Sequence, residues 1–156
     1  MHSITIISVG SLKEDYWKQA EKEYTKRLSQ WATVGVKEIK EIPFAGVGAK
    51  AEILKKEAAL ILKQIPRDSI LIALDVQGKG YSSETFANLL ENKIDTGTPL
   101  TFVIGGPLGI SEEITSKADI VWSLSPLTVT HQIARVLVHE QLYRAFCIMK
   151  KKTYHY

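Results

Sequence analysis

A chain of 156 residues with 45% hydrophobic and 24% charged residues has the composition of a folded globular domain, which excludes a disordered or fibrous protein. Its single cysteine, Cys147, excludes an internal disulfide framework and a multi-cysteine metal site. No apolar run approaches the roughly 20 residues that cross a bilayer, so no membrane partner is expected. The start, Met1–Val9, lacks the basic residues and cleavage site of a signal peptide, and a cytoplasmic location is expected.

The net charge of +3 is unevenly placed. From His131 onward five basic residues (Arg135, Arg144, Lys150, Lys151, Lys152) face one acid, Glu140, so this end carries +4 and the rest of the chain −1. A basic end on a near-neutral body fits an anionic partner such as nucleic acid. It fits a solvated tail equally well.

In chain order, Ser3–Val9 reads as a strand ending at Gly10. Leu12–Trp31 has helical spacing, with Trp17, Tyr24, Leu28 and Trp31 near one face. Lys18, Lys22 and Lys26 form a basic ridge on another. Val36–Ile42 alternates apolar with charged residues, as an edge strand does, and Pro43 closes it. Ala45–Gly48 is a small-residue loop, and Lys50–Gln64 a second amphipathic helix. Ser69–Val76 is nearly all apolar, the pattern of a strand covered on both faces.

Gln77–Gly80 reads as a turn, and Ser82–Asp95 as a helix capped by Ser82. Leu100–Ile104 is another buried strand, running into Gly105-Gly106-Pro107-Leu108-Gly109. Ser111 caps a short helix to Lys117, with Glu112 and Glu113 at its positive end. Ile120–Leu124 is the fifth strand, Ser125–Thr130 a loop, and His131–Met149 the last helix. Five strands alternating with five helices predict one α/β domain over residues 1–156, its sheet largely parallel with helices on both faces.

In such sheets ligands bind beyond the carboxyl ends of the strands. Those ends carry Leu74-Asp75, the Gly105–Gly109 loop and the Ser125–Thr130 loop, which defines a candidate pocket. The glycine loop has neither dinucleotide nor Walker spacing, so it reads as ligand approach or as a plain turn. Ser123–His131 offers backbone groups and short hydroxyls to a nucleoside, or is an ordinary connection with Thr130 as helix cap.

Metal-site readings of the histidines fail. His139-Glu140 lacks a second histidine at position 143, which is Tyr143. His131 and His139 lie about 12 Å apart along a helix, too far to share one ion. No metal is expected. The tail, Lys150-Lys151-Lys152-Thr153-Tyr154-His155-Tyr156, mixes lysines with rings that stack on bases, or it is a frayed terminus.

Taken together, these residues resemble a family. The resemblance rests on Val103-Ile104-Gly105-Gly106, Trp122-Ser123-Leu124-Ser125, His131, Val136-Leu137, Glu140–Ala145 and Tyr154-His155. It extends to Val9-Gly10, Tyr16-Trp17, Glu23-Tyr24, Lys26-Arg27, Leu74-Asp75 and Gly78-Lys79. The family is the bacterial large-subunit rRNA methyltransferase H group, single-domain SPOUT enzymes that methylate N3 of a pseudouridine in helix 69 of 23S rRNA.

The resemblance implies an α/β sheet with a C-terminal trefoil knot, a homodimer, and S-adenosylmethionine as methyl donor. Carried over, the donor contacts fall on Leu74, Gly105, Leu124, Ser125, Pro126, Leu127, Thr128 and Val129. The catalytic residues fall on Arg144, Tyr154 and His155. Thr130, Leu108 and the terminal Tyr156 depart from the family pattern, the last of them in the target-binding tail. Two other classes stand beside this reading: a nucleotide enzyme on an open sheet, and a noncatalytic ribosome-binding module with a vestigial pocket.

Overall fold

The computed structural model describes residues 1–44 and 49–154. The elements are β1 (His2–Val9), α1 (Asp15–Leu28), β2 (Ala32–Ile39), α2 (Ala49–Gln64), β3 (Ile70–Gly80), α3 (Ser83–Ile94), β4 (Leu100–Ile104), α4 (Glu112–Lys117), β5 (Ile120–Ser123) and α5 (His131–Met149). The strands form one sheet in the order β2-β1-β4-β3-β5, with every pairing parallel. The expected loop Ala45–Gly48 lies outside the described residues.

Alternation along the central strands divides the core in two. Ile4 and Ile6 of β1, Ile72 of β3 and Phe102 of β4 pack with Leu28 of α1, Phe86 and Leu90 of α3, and Val138, Leu142 and Phe146 of α5. Ile7, Leu71, Ala73 and Val103 turn the other way, onto Ala58 and Ile61 of α2 and Ile114 of α4. Helices α1, α3 and α5 therefore cover one face and α2 and α4 the other. Strands buried on both faces need apolar residues at every position, which is why β3 and β4 lack a polar alternation.

The helix starts agree with the sequence. Oγ of Ser82 accepts from the Thr85 amide at 3.1 Å, Oγ of Ser111 from Ile114 at 3.4 Å, and Oγ1 of Thr130 from Ile133 at 3.3 Å. Two elements differ at both ends: α1 begins at Asp15 rather than Leu12, and β2 is shifted toward the N-terminus. Helix α1 stops at Leu28 because the Trp31 carbonyl accepts from the His2 amide at 2.9 Å, joining the sheet. Strand β2 consequently begins at Ala32, opposite His2, and ends at Ile39.

The third difference shapes the site. Gln77–Gly80, expected as a turn, belongs to β3. Both Leu74 and Lys79 register with Trp122 of β5, so Asp75–Gly78 bulge out between them. A Cβ at Gly78 would lie 2.6 Å from the Val121 carbonyl oxygen, and only glycine permits that approach.

Helix α5 is fixed at mid-length by a buried charge network. Arg135 Nη2 donates to Glu21 of α1 at 2.8 Å and Nη1 to Glu38 of β2 at 2.7 Å, while Nε also donates to Glu21. Burial alone lowers the pKa of this guanidinium, but the bonds to Glu21 and Glu38 outweigh it and raise it. One turn on, His139 is fully buried and its Nδ1–H donates to the Arg135 carbonyl at 2.8 Å.

Candidate active site

Beyond the carboxyl ends of β3, β4 and β5 lies a cavity of about 620 Å³, within the size range of small-molecule sites. Three segments build its wall: the Leu74–Val76 bulge, the stretch Ile104–Ile110, and the loop from Leu124 into the first turn of α5. Trp122, stacked on Phe86 with ring centroids 4.1 Å apart, forms part of the floor. Asp75 is the one carboxylate among the described lining residues; its Oδ1 accepts from the Gln77 amide at 2.9 Å.

The glycine loop closes on itself. The Gly109 amide donates to the Gly106 carbonyl at 2.9 Å, and Gly109 has φ of 85°. A Cβ at Gly105 would sit 2.4 Å from the Gly109 carbonyl oxygen. Glycine at 105 is thus required by the turn itself, whatever approaches from the cavity side. The facing loop is also internally braced, since Ser123 Oγ donates to the Ser125 carbonyl at 3.0 Å. Ser125 Oγ accepts from the Leu127 amide at 3.1 Å.

Gly10, with φ of 91°, lets the end of β1 pass against the His131 ring, where a Cβ would meet Nε2 at 2.8 Å. His131 Nε2–H donates to the Ser11 carbonyl at 3.1 Å, and the Lys13 amide donates to Gln132 Oε1 at 2.8 Å. The loop after β1 is therefore clamped to the cavity wall.

Of the residues assigned to the donor, Leu74, Gly105, Leu124, Ser125, Leu127, Thr128 and Val129 line this cavity; Pro126 does not. His131, Gln132, Ala134 and Trp122 line it as well, and the family pattern does not assign them to the donor. The first three lie in the first turn of the helix that follows the loop, a place the sequence does mark. Trp122 reads only as a strand interior.

Arg144 and Tyr154 form a separate cluster. Arg144 donates to Glu140 Oε1 from Nε at 3.0 Å and from Nη2 at 2.7 Å. Its guanidinium lies 4.7 Å from the Tyr154 ring centroid, and the Tyr154 hydroxyl donates to the same Glu140 oxygen at 3.2 Å. The bond to Glu140 raises the pKa of Arg144. Burial, with the neighbouring Tyr24 and Glu140, holds the Tyr154 hydroxyl well above the usual phenol range, so it stays protonated at neutral pH.

The tail reaches this place because Lys151 adopts a positive φ of 52° at the end of α5. Tyr154 then packs edge-on against Tyr143, with centroids 4.7 Å apart. Through Tyr154 the tail is docked rather than frayed. His155 lies outside the described residues.

The two groups are not brought together within one chain. From His131 at the cavity to Arg144 is thirteen residues of α5, about 20 Å along the helix axis. The surface between them is partly apolar. Ile133, Leu137, Glu140 and Arg144 fall on one helical stripe, and Leu137 is exposed, as are Val76, Leu127 and Val129 at the cavity rim. No helix among the described residues is long and apolar enough to cross a membrane.

Known proteins place this architecture. The chain matches the family described as "Predicted SPOUT methyltransferase" over residues 2–155. It is 43% identical over 152 residues to a chain from Caldicellulosiruptor saccharolyticus named ribosomal RNA large subunit methyltransferase H, covering 97% of this chain and 99% of that one. A chain of the same name from Clostridium botulinum is 44% identical over 157 residues, covering 98% and 99%.

Among solved structures, a probable methyltransferase from Bordetella pertussis Tohama I superposes with a TM-score of 0.60 at 11% identity, covering 91% of this chain and 93% of its own. That likeness concerns the fold alone. The near-complete match in sequence goes further: the chain belongs to the SPOUT methyltransferase family.

Proposed function

We propose that this methyltransferase transfers a methyl group from S-adenosylmethionine to N3 of a pseudouridine in helix 69 of 23S rRNA, as a cytoplasmic homodimer acting on assembled ribosomes. One observation carries the donor: seven of the eight residues assigned to it by resemblance meet at one cavity. The rRNA target rests on the names of the relatives. The trefoil knot belongs to the same reading and rests on the resemblance to the family.

The residues present fit the donor. The cavity is large enough, its wall carries the hydroxyl residues Ser125, Thr128 and Thr130, and Asp75 offers a counter-charge to a cationic ligand. S-adenosylmethionine, when bound, supplies an electrophilic methyl group on a sulfonium. The loops must then hold target nitrogen, methyl carbon and sulfur in line, so the protein's contribution is chiefly positioning. Held by these loops, the donor would supply the methyl group that replaces the N3 proton, and that proton would leave to His155 or to water.

Tyr154 stays protonated and is therefore no base; it stacks or donates a hydrogen bond. Arg144, held in place by Glu140, is set to steady developing negative charge or a phosphate. A twofold dimer would close the gap of about 20 Å between cavity and cluster. Two antiparallel α5 helices joined along the Ile133–Arg144 stripe place the Arg144 end of one protomer beside the cavity of the other. They would also cover Leu137.

Primer extension on rRNA from a strain lacking the gene, before and after complementation, tests the reaction. A helix 69 stop that appears only with the functional gene is expected, and an unchanged pattern would sink the assignment. Calorimetry with S-adenosylmethionine against NAD decides the donor. For the dimer, an Arg144→Ala chain mixed with a Gly105→Val chain should recover activity that neither has alone. A monomeric mass at micromolar concentration would refute the shared site.

A further inference from the structure

Helix α1 contributes no side chain to the cavity, yet its outer surface has a definite electrostatic design. Lys18, Lys22 and Lys26 are exposed and follow one another at four-residue intervals. Lys22 and Lys26 pair with no carboxylate among the described residues. Lys18 reaches only Asp15, at 3.8 Å and with both side chains mostly in solvent, a contact of little strength. The other two acids of α1 are engaged elsewhere: Glu21 is held by Arg135 and Glu23 accepts from Arg27.

The lysines border an open groove of about 450 Å³ between α1 and the edge strand β2, with Thr25, Ser29 and Glu21 also on its wall, the Glu21 carboxylate being engaged by Arg135. The row spans about 12 Å, eight residues of helix. A nucleic-acid strand carries one phosphate per roughly 3.4 Å of duplex axis, so the row is long enough to meet several phosphates.

A second observation ties the row to the target end of the molecule. At the last turn of α1, Arg27 lies against the ring of Tyr143, 5.7 Å from its centroid, and Tyr143 packs on Tyr154. Lys152 of the tail donates to Gln30 Oε1 at 2.6 Å and covers the Trp31 ring at 4.7 Å. The lysine row thus faces the β2 side of α1 and the Arg144–Tyr154 cluster its α5 side, and the two come nearest at the C-terminal turn, where Lys26 and Arg27 are neighbours.

We propose that the Lys18–Lys22–Lys26 face of α1 is a second contact surface for the RNA substrate, holding backbone phosphates beside the target nucleotide without reading sequence. The inference rests on the rRNA reading of the site. It assigns the helix to substrate retention, with no part in donor binding or in chemistry.

The test is the triple variant Lys18→Gln, Lys22→Gln, Lys26→Gln, with the triple Lys→Arg variant as the charge-preserving control. Binding of a 23S rRNA fragment containing helix 69, and of intact large subunits, is measured across a salt series, alongside methylation kinetics and S-adenosylmethionine calorimetry. The glutamine variant is expected to bind RNA about tenfold or more weakly, with a salt slope shallower by about 2 to 3, close to one for each phosphate left without its lysine. KM should rise with kcat and donor affinity unchanged, and the arginine variant should behave as the parent.

RNA affinity and salt slope equal to the parent's would overturn the proposal. So would weakened binding to subunits alone, with naked rRNA bound as before, because the lysines would then face a ribosomal protein. If the parent protein methylates no rRNA, the functional reading fails, while the binding series still decides whether this face holds RNA.

Discussion

The two ends of α5 are built from different materials. At its N-terminal end the cavity is shaped by backbone turns over the Trp122 floor: a glycine turn closed on itself, a strand bulge, and a loop braced by Ser123 and Ser125. At its C-terminal end the Arg144 cluster is made of side chains, with charge and aromatic rings holding one another in place. A backbone site suits a ligand whose shape is constant. A side-chain cluster suits a partner that arrives from outside and must meet a charge already oriented. The two materials should fail in different ways when mutated.

The largest effect is expected from Arg144→Ala. Single-turnover methylation of ribosomes should fall by about 10²–10³-fold, the usual cost of losing one transition-state donor. Donor affinity by calorimetry should stay within about threefold, because Arg144 lies outside the cavity lining and its proposed role is toward the RNA or the transition state. A parallel loss of donor affinity would erase the distinction between the two ends.

Gly105→Val addresses the other end. Its Cβ would lie 2.4 Å from the Gly109 carbonyl, so the turn must open. Donor affinity is expected to fall at least about tenfold, the effect of ~1.4 kcal/mol of strain. The added strain sits in the protein itself, so the melting temperature should drop too. Parental affinity in the folded variant would remove the glycine turn from the site.

Tyr154→Phe keeps the ring beside Arg144 and removes a hydrogen bond to Glu140. A loss of less than about tenfold in methylation rate (~1.4 kcal/mol) is expected, because Glu140 keeps both of its bonds to Arg144. A larger loss would make the hydroxyl itself part of the chemistry.

The smallest effect concerns the joint between the two ends. Burial lowers the pKa of His139 below its usual value of 6.5, so the folded state favours the neutral ring. The unfolded chain then binds the proton more readily, and stability should decline as pH falls below about 6.5. His139→Leu should flatten that part of the curve in denaturant unfolding from pH 8 to pH 5. An unchanged slope would assign the acid sensitivity elsewhere.

Much of this molecule was legible one residue at a time. Helix caps are local chemistry, so Ser82, Ser111 and Thr130 could be placed from their neighbours alone. The doubly buried strands β3 and β4 announce themselves by unbroken apolar runs. The cavity followed from where those strands end, together with a family pattern.

Other features depend on partners remote in sequence. The first residues of β2, Ala32–Gly35, carry no strong strand signal and are extended because β1 pairs with them along its length. The Asp75–Gly78 bulge exists only because Leu74 and Lys79 both register with Trp122. The stripe His131, Arg135, His139 has the spacing of one polar face. Tertiary structure gave its members three different surroundings: a cavity wall, a buried ion network, and for His139 a fully buried place 3.9 Å from the Glu21 carboxylate of that network. Sequence spacing fixes which side chains share a helix face. What lies opposite that face is set by where distant segments pack, and that alone decided which of these side chains lines a cavity and which are buried around Glu21.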